Sequence, residues 1–230
     1  MSKTALCLLV WNEKHGCQRD LPRLDFSHFD EVFAIDGGSE DGTVELLKTW
    51  KIPVYQQEHR GLNAAYWQAV LTTTCENVVV FFPKGTIPPR VAVELKQALD
   101  QGYELAIASR MIAGARNEED GRLFRPRKWG VKILAMAACA IWRREGGMLW
   151  DVLHGVKGFS KQAFLMMNPS RSGVSIDLEM AIRTYRLRIR RCELPVSESA
   201  RESGATHFKI LPTGLMLARC FCRELWRPLR

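Results

Sequence analysis

Apolar residues in the first half of the chain fall in short runs separated by polar or glycine-containing turns. Thr4 to Val10, Glu31 to Ile35, Val54 to Gln57, Val78 to Phe82 and Leu105 to Ser109 read as strands. Between them, Val44 to Trp50, Leu62 to Thr72 and Pro89 to Gln101 carry helical spacing. This alternation predicts an α/β fold, a mainly parallel sheet with helices on both faces. The polar stretch Ala113 to Arg127 reads as a surface loop dividing the chain. Beyond it, Trp129 to Arg144, Lys161 to Met167 and Asp177 to Tyr185 read as helices and Arg188 to Val196 as a strand. No linker separates the halves. The expectation is therefore one domain over residues 1–230, with 1–112 and 113–210 as its two halves and 211–230 as a tail.

The run Val32 to Ile35 ends in Asp36, and Gly37-Gly38-Ser39-Glu40-Asp41-Gly42-Thr43 follows before a helix opens. In open α/β sheets ligands bind outside the carboxyl ends of the strands, which is where Asp36 and Asp41 would stand. Gly37 and Gly38 would let a ligand approach the backbone. The spacing matches neither the dinucleotide fingerprint nor the P-loop. It resembles the Asp-x-x-Ser-x-Asp-Gly-Thr signature of family 2 glycosyltransferases of the GT-A fold, and Leu8 to Glu13 resembles that family's first strand ending in Asn-Glu. The resemblance implies a nucleotide-sugar donor, its nucleoside held by Asn12, Glu13, Asp36, Gly38 and Ser39.

Such enzymes place Asp-x-Asp after the fourth strand, where it holds a divalent ion, Mg or Mn, against the donor pyrophosphate. Here Phe82-Pro83-Lys84 stands in that place, ahead of Pro88-Pro89, so the usual metal ligands are missing and no metal site is assigned. Lys84, with Arg60 assisting, is the candidate for the diphosphate; the alternative for Lys84 is a solvated turn lysine. Later segments resemble the family in order: Asp151 to Phe159, the helix around Asp177, and the Arg201 to Thr206 loop. Asp177 and then Asp151 are the candidate bases for a hydroxyl acceptor, with Glu179 structural. A lipid phosphate would need no base, and His154 and Arg201 would orient it. The alternatives are a helix N-cap for Asp177 and a hydrogen-bonded core residue for His154.

Composition narrows the partners. A net charge of +8 attracts anionic lipid, polyphosphate or nucleic acid. The basic clusters lack interleaved aromatic platforms, so nucleic acid is not expected. No signal peptide is visible, and the longest apolar run, Ile133 to Trp142, is about half of what crosses a bilayer. Seven cysteines without paired spacing suit reduced thiols in the cytoplasm. In the tail, Leu211, Leu215, Ala218, Cys222 and Leu225 share one helical face, and Arg219, Arg223 and Arg227 another. That suits either an interfacial helix on anionic lipid or a docked terminal helix. The resemblance lies nearest the branch that glycosylates polyprenyl or dolichyl phosphate at the cytoplasmic membrane face. Two other classes stand beside it: a nucleotide-sugar-binding pseudoenzyme and a basic nucleic-acid binder.

Overall fold

The first strand, β1 (Thr4–Val10), is buried at every position. Its side chains alternate between two packed layers: Ala5, Cys7 and Leu9 meet one hydrophobic cluster, Leu6, Leu8 and Val10 the other. A strand covered on both faces can be apolar throughout, which is why it reads as an unbroken run. The computed structural model describes residues 2–121, 124–199 and 210–227. Along the chain follow α1 (Lys14–Asp20), β2 (Glu31–Asp36), α2 (Thr43–Thr49), β3 (Val54–Gln56), α3 (Leu62–Thr72), β4 (Asn77–Phe81), α4 (Val91–Asp100) and β5 (Leu105–Ser109). The second half contributes α5 (Pro126–Trp142), β6 (Lys157–Ser160), α6 (Lys161–Met167), α7 (Ile176–Arg186), β7 (Arg191–Pro195) and α8 (Ile210–Trp226).

The strands form one sheet in the order β3-β2-β1-β4-β6-β5-β7. All neighbours are parallel except β6, which runs antiparallel to β4 and β5. Helices α3, α5, α6, α7 and α8 pack in one layer; α1, α2 and α4 pack in the other. This is the expected α/β sheet with helices on both faces. From β1 the chain steps outward to β2 and β3, then returns on the other side of β1 as β4. The reversal opens a crevice at the carboxyl ends of β1 and β4. Because β6 is antiparallel, its first residue, Lys157, arrives at that same edge opposite Val80.

Several elements depart from the sequence pattern. Helix α1 (Lys-His-Gly-Cys-Gln-Arg-Asp) has no apolar period. It forms through packing: a Cβ on Gly16 would lie 2.2 Å from the Pro83 carbonyl oxygen, so only glycine lets it rest on the turn after β4. Strand β6 is too short, and too interrupted by Gly158, to announce itself. The loop predicted to Arg127 ends earlier, because Pro126 is preorganised for the first turn of α5. It is also tied down, with Arg116 donating to Val196 (3.1 Å) and accepting from Glu198 (2.9 Å) through the backbone. Strand β7 starts at Arg191 rather than Arg188, whose φ of 55° turns the chain out of extended geometry.

Candidate functional site

Asp36 closes β2 in register with Val10 and Gln56. Its carboxylate folds back on its own loop, accepting from the Gly38 N–H (3.0 Å), the Ser39 N–H (2.9 Å) and the Ser39 hydroxyl. Gly38 sits at φ 98°, in the left-handed region that side chains avoid. The same Ser39 oxygen accepts from the Asn12 N–H (2.8 Å), and Asn12 Oδ1 accepts from the Glu40 N–H (2.8 Å). Glu13 donates its N–H to Thr43 Oγ1 (2.9 Å), and Lys14 donates to Asp41 (2.9 Å). Burial works to raise the Asp41 pKa, but the Thr43 and Lys14 donors outweigh it and hold the carboxyl below its ordinary value. The Asp-x-x-Ser-x-Asp-Gly-Thr stretch is thus a clasp that joins the end of β1 to the turn after β2. It brings Asn12, Glu13, Asp36, Gly38 and Ser39 together at the crevice. The exposed Trp11 indole stands beside them, its Cβ 3.2 Å from where a Gly37 Cβ would lie.

Across the crevice, Phe82-Pro83-Lys84 follows β4. The Phe82 ring fills space left by Gly155, where a Cβ would lie 2.7 Å from it. Lys84 is half-buried, with its ammonium 4.8 Å from the Phe82 ring centroid. Asp20 accepts from the Gly85 N–H (2.8 Å) and fixes this turn; burial pushes its carboxyl up to about 6. Arg60 is exposed, on a loop whose Gly61 carbonyl accepts from the Gln57 amide (2.8 Å). A divalent ion does not fit this set. Phe82 and Lys84 offer it no oxygen, and among the described residues no three His, Cys, Asp or Glu side chains converge as a metal-binding group.

The two carboxylates nominated as bases are each held in an ion pair. Asp151, fully buried, accepts from the Arg110 N–H (2.9 Å), Nε (2.8 Å) and Nη2 (3.0 Å). Burial would raise its pKa, yet the Arg110 charge and hydrogen bonds hold it low. Held by these three bonds, Asp151 anchors the segment after α5. Glu193, accepting the Trp150 and Asp151 N–H groups (2.8 Å each), braces it further. Asp177 lies in the first turn of α7, after the N-cap Ser175, and accepts from buried Lys157 Nζ at 2.6 Å. Asn63 places that turn, accepting from the Ile176 N–H (3.0 Å) and donating to the Ser170 carbonyl (2.9 Å). His154 is buried, with Nδ1 against the Ala108 carbonyl; burial and the nearby Arg110 charge lower its pKa to about 3. These surroundings match the hydrogen-bonded core alternative for His154. Glu179 is structural, as expected, receiving Ser170 N–H (2.7 Å), Ser175 Oγ (2.6 Å) and Arg223 (2.8 Å). Arg201 lies outside the described residues.

Arg110 and Lys157 escaped the sequence reading. Their only signal was position: a cation directly after the β5 run, and a lysine inside the apolar segment Val156 to Phe159. The tail held a larger surprise. Helix α8 docks on α7 through Leu217, Cys220 and buried Glu224, which Arg183 (3.2 Å) and Arg186 (3.4 Å) bond. Arg223 and Arg227 turn toward Glu179 and Glu224, while Leu215, Ala218, Cys222 and Leu225 face outward.

The architecture has close counterparts. The M. tuberculosis glucosyl-3-phosphoglycerate synthase superposes with a TM-score of 0.71 at 17% identity, covering 99% of this chain and 81% of that one. The fold is the GT-A glycosyltransferase fold. A structure of the same synthase with Mn2+ and uridine-diphosphate-glucose gives a TM-score of 0.70 at 18% identity, over 97% and 78% of the two chains. In sequence, glycosyltransferase AglJ of Haloferax volcanii is 27% identical over 204 residues, 87% of this chain. The GT-A chain described here spans 65% of that relative's length. No family model matches it. Among the described residues, no helix of this GT-A fold is long and apolar enough to cross a membrane.

Proposed function

We propose that this chain is a family 2-type inverting glycosyltransferase that moves a sugar from a nucleotide donor to a polyprenyl or dolichyl phosphate at the cytoplasmic membrane face. The observation that carries the donor half is the clasp of Asp36, Ser39 and Asn12 at the strand reversal of a GT-A sheet. On this reading Asn12, Glu13, Asp36, Gly38 and Ser39 border the nucleoside. Asp36 acts there by holding the loop, its Oδ2 accepting from the Gly38 and Ser39 N–H groups and its Oδ1 from the Ser39 N–H and hydroxyl. Lys84 and Arg60 offset the charge of the departing diphosphate.

The ion pairs favour an anionic acceptor. A hydroxyl nucleophile needs a free base, and both candidate carboxylates are neutralised by Arg110 and Lys157. A phosphate oxygen is already anionic: its lone pair forms the bond to the sugar C1 while the bond to the donor β-phosphate oxygen breaks. That charge leaves on the nucleoside diphosphate, so no proton has to move.

A thermal-shift screen of nucleoside diphosphates tests the donor half. A ligand at about 100 times its Kd stabilises by roughly 2.7 kcal/mol, a rise of about 5–10 °C for a chain of this size. Asp36→Ala should weaken the best ligand by at least about tenfold, roughly 1.4 kcal/mol. No shift with any nucleoside diphosphate or nucleotide sugar would overturn the reading. Binding without transfer, or without donor hydrolysis, would instead favour the pseudoenzyme.

A further inference from the structure

We propose that the outward faces of α5 and α8 together form a docking surface for an anionic lipid bilayer. This rests on the membrane half of the reading above and adds the surface that carries it. Both helices pack on α7, and they touch each other through the Trp142 and Phe221 rings, 4.9 Å apart between centroids. In α5, Val131, Ala135 and Ala138 point into the core, which leaves Trp129, Ile133 (61% exposed), Met136 and Ile141 facing out. Phe124, just ahead of α5, stands edge-on to Trp129 at 5.3 Å. In α8 Arg223 reaches inward to Glu179 (2.8 Å), while Leu215 (58% exposed), Leu225 and Trp226 (87% exposed) face solvent. A lone exposed leucine needs no explanation; two adjoining helices that both turn their apolar stripes outward do.

Charge selects the occupant. Helix α5 contains no acidic residue, and the one acid of α8, Glu224, is buried against Arg183 and Arg186. The exposed charged side chains of the two helices are all basic: Arg219, together with Arg127 and Arg223, which also pair with Glu118 (3.2 Å) and Glu179 (2.8 Å). A second copy of this face would meet like charge, whereas anionic headgroups would complement it. Tryptophans bordering aliphatic residues, with arginines alongside, suit the headgroup boundary, and a helix of 17 residues would lie along the surface. Since α7 carries Asp177 in its first turn, a bilayer on this side adjoins the acceptor edge.

The test is co-sedimentation of the full chain with phosphatidylcholine vesicles, with and without phosphatidylglycerol. Binding should require phosphatidylglycerol, weaken as salt rises and shift tryptophan emission to the blue. A variant carrying Ile133→Glu, Leu215→Glu and Leu225→Glu, all at exposed positions, should partition at least about tenfold less. Nucleoside diphosphate binding, measured on the same samples, should be unchanged, so loss of the donor reading and loss of this one are separately visible. Native protein that ignores phosphatidylglycerol vesicles at low salt would overturn the proposal, as would a triple variant that binds like the native chain. A native dimer that the triple variant turns into a monomer, with no vesicle binding in either, would reassign the face to self-association.

Discussion

Asp151→Asn separates architecture from catalysis more sharply than any other single change. The native carboxylate accepts three bonds from Arg110, at 2.8 to 3.0 Å, and has no exposure. Asparagine keeps the shape but removes the charge and turns an amide N–H2 toward guanidinium donors. Removing one partner of a buried ion pair typically costs about 3–5 kcal/mol. Arg110 retains Glu198 at 3.0 Å, so the expected cost is nearer 2–4 kcal/mol, or roughly 4–16 °C in Tm at this chain length. The acid limb of the stability curve should change as well. The folded pKa of Asp151 is depressed, so its contribution is present above the unfolded value and lost as pH falls through the folded one; the variant should lack that loss. Urea unfolding at neutral and acid pH measures both. Arg110→Met combined with Asp151→Leu should recover part of the lost stability, because no charge is then stranded. If Asp151→Asn leaves Tm unaltered and abolishes sugar transfer, the residue is a base and the structural assignment is wrong.

Two further outcomes follow from the same contacts. Lys84→Ala should weaken donor binding while EDTA leaves the native protein unaffected, because no acidic pair stands beside the crevice at Phe82 to Lys84; isothermal calorimetry in chelator decides this, and abolition by EDTA would mean that metal is held elsewhere. His154 is kept neutral, with a folded pKa near 3, so its contribution is complete above about 6.5 and declines by at most about 1.4 kcal/mol per pH unit below that. Asp20, raised to about 6, holds its proton in the folded state and works the opposite way over its own window. Comparing His154→Gln with the native chain isolates the histidine, and parallel urea-stability curves between pH 7.5 and 5 would refute its part.

Much of the sheet was legible because buried parallel strands are apolar on both faces. Thr4–Val10 and Leu105–Ser109 need no context to be seen, and α3 and α6 also fall where their pattern places them. Helix α1 was invisible because its cause, the contact of Gly16 with Pro83, lies far along the chain. The clasp was legible as a motif, but its internal use of Asp36 was not. Asp151 and Asp177 were legible as acids, but their partners Arg110 and Lys157 were not, since these reach them from 41 and 20 residues away. The stripe on α8 had the right period, but the sequence left open whether the helix lies on lipid or docks on the body. A helical wheel shows that two faces differ, and only the buried carboxylates of Glu179 and Glu224 draw Arg223 and Arg227 in.

The substitution of Phe82-Pro83-Lys84 for an acidic pair changes the charge balance of the crevice less than it first suggests. Two carboxylates with a divalent ion sum to about zero, and their use to a pyrophosphate is the ion's accessible positive field. A lysine in that turn brings positive charge to the crevice without an ion. It gives less field at contact distance, since an ammonium carries half the charge of a divalent metal. The surrounding turn is built for this arrangement. Gly155 makes room for the Phe82 ring, Gly16 accepts the Pro83 carbonyl, and Asp20 ties down Gly85. Putting acids back at 82 and 84 would therefore empty a packed aromatic position as well as add charge. On the proposed reading, the site has exchanged a metal-centred field for a lysine-centred one. On that same reading, the paired states of Asp151 and Asp177 suit an acceptor that brings its own negative charge.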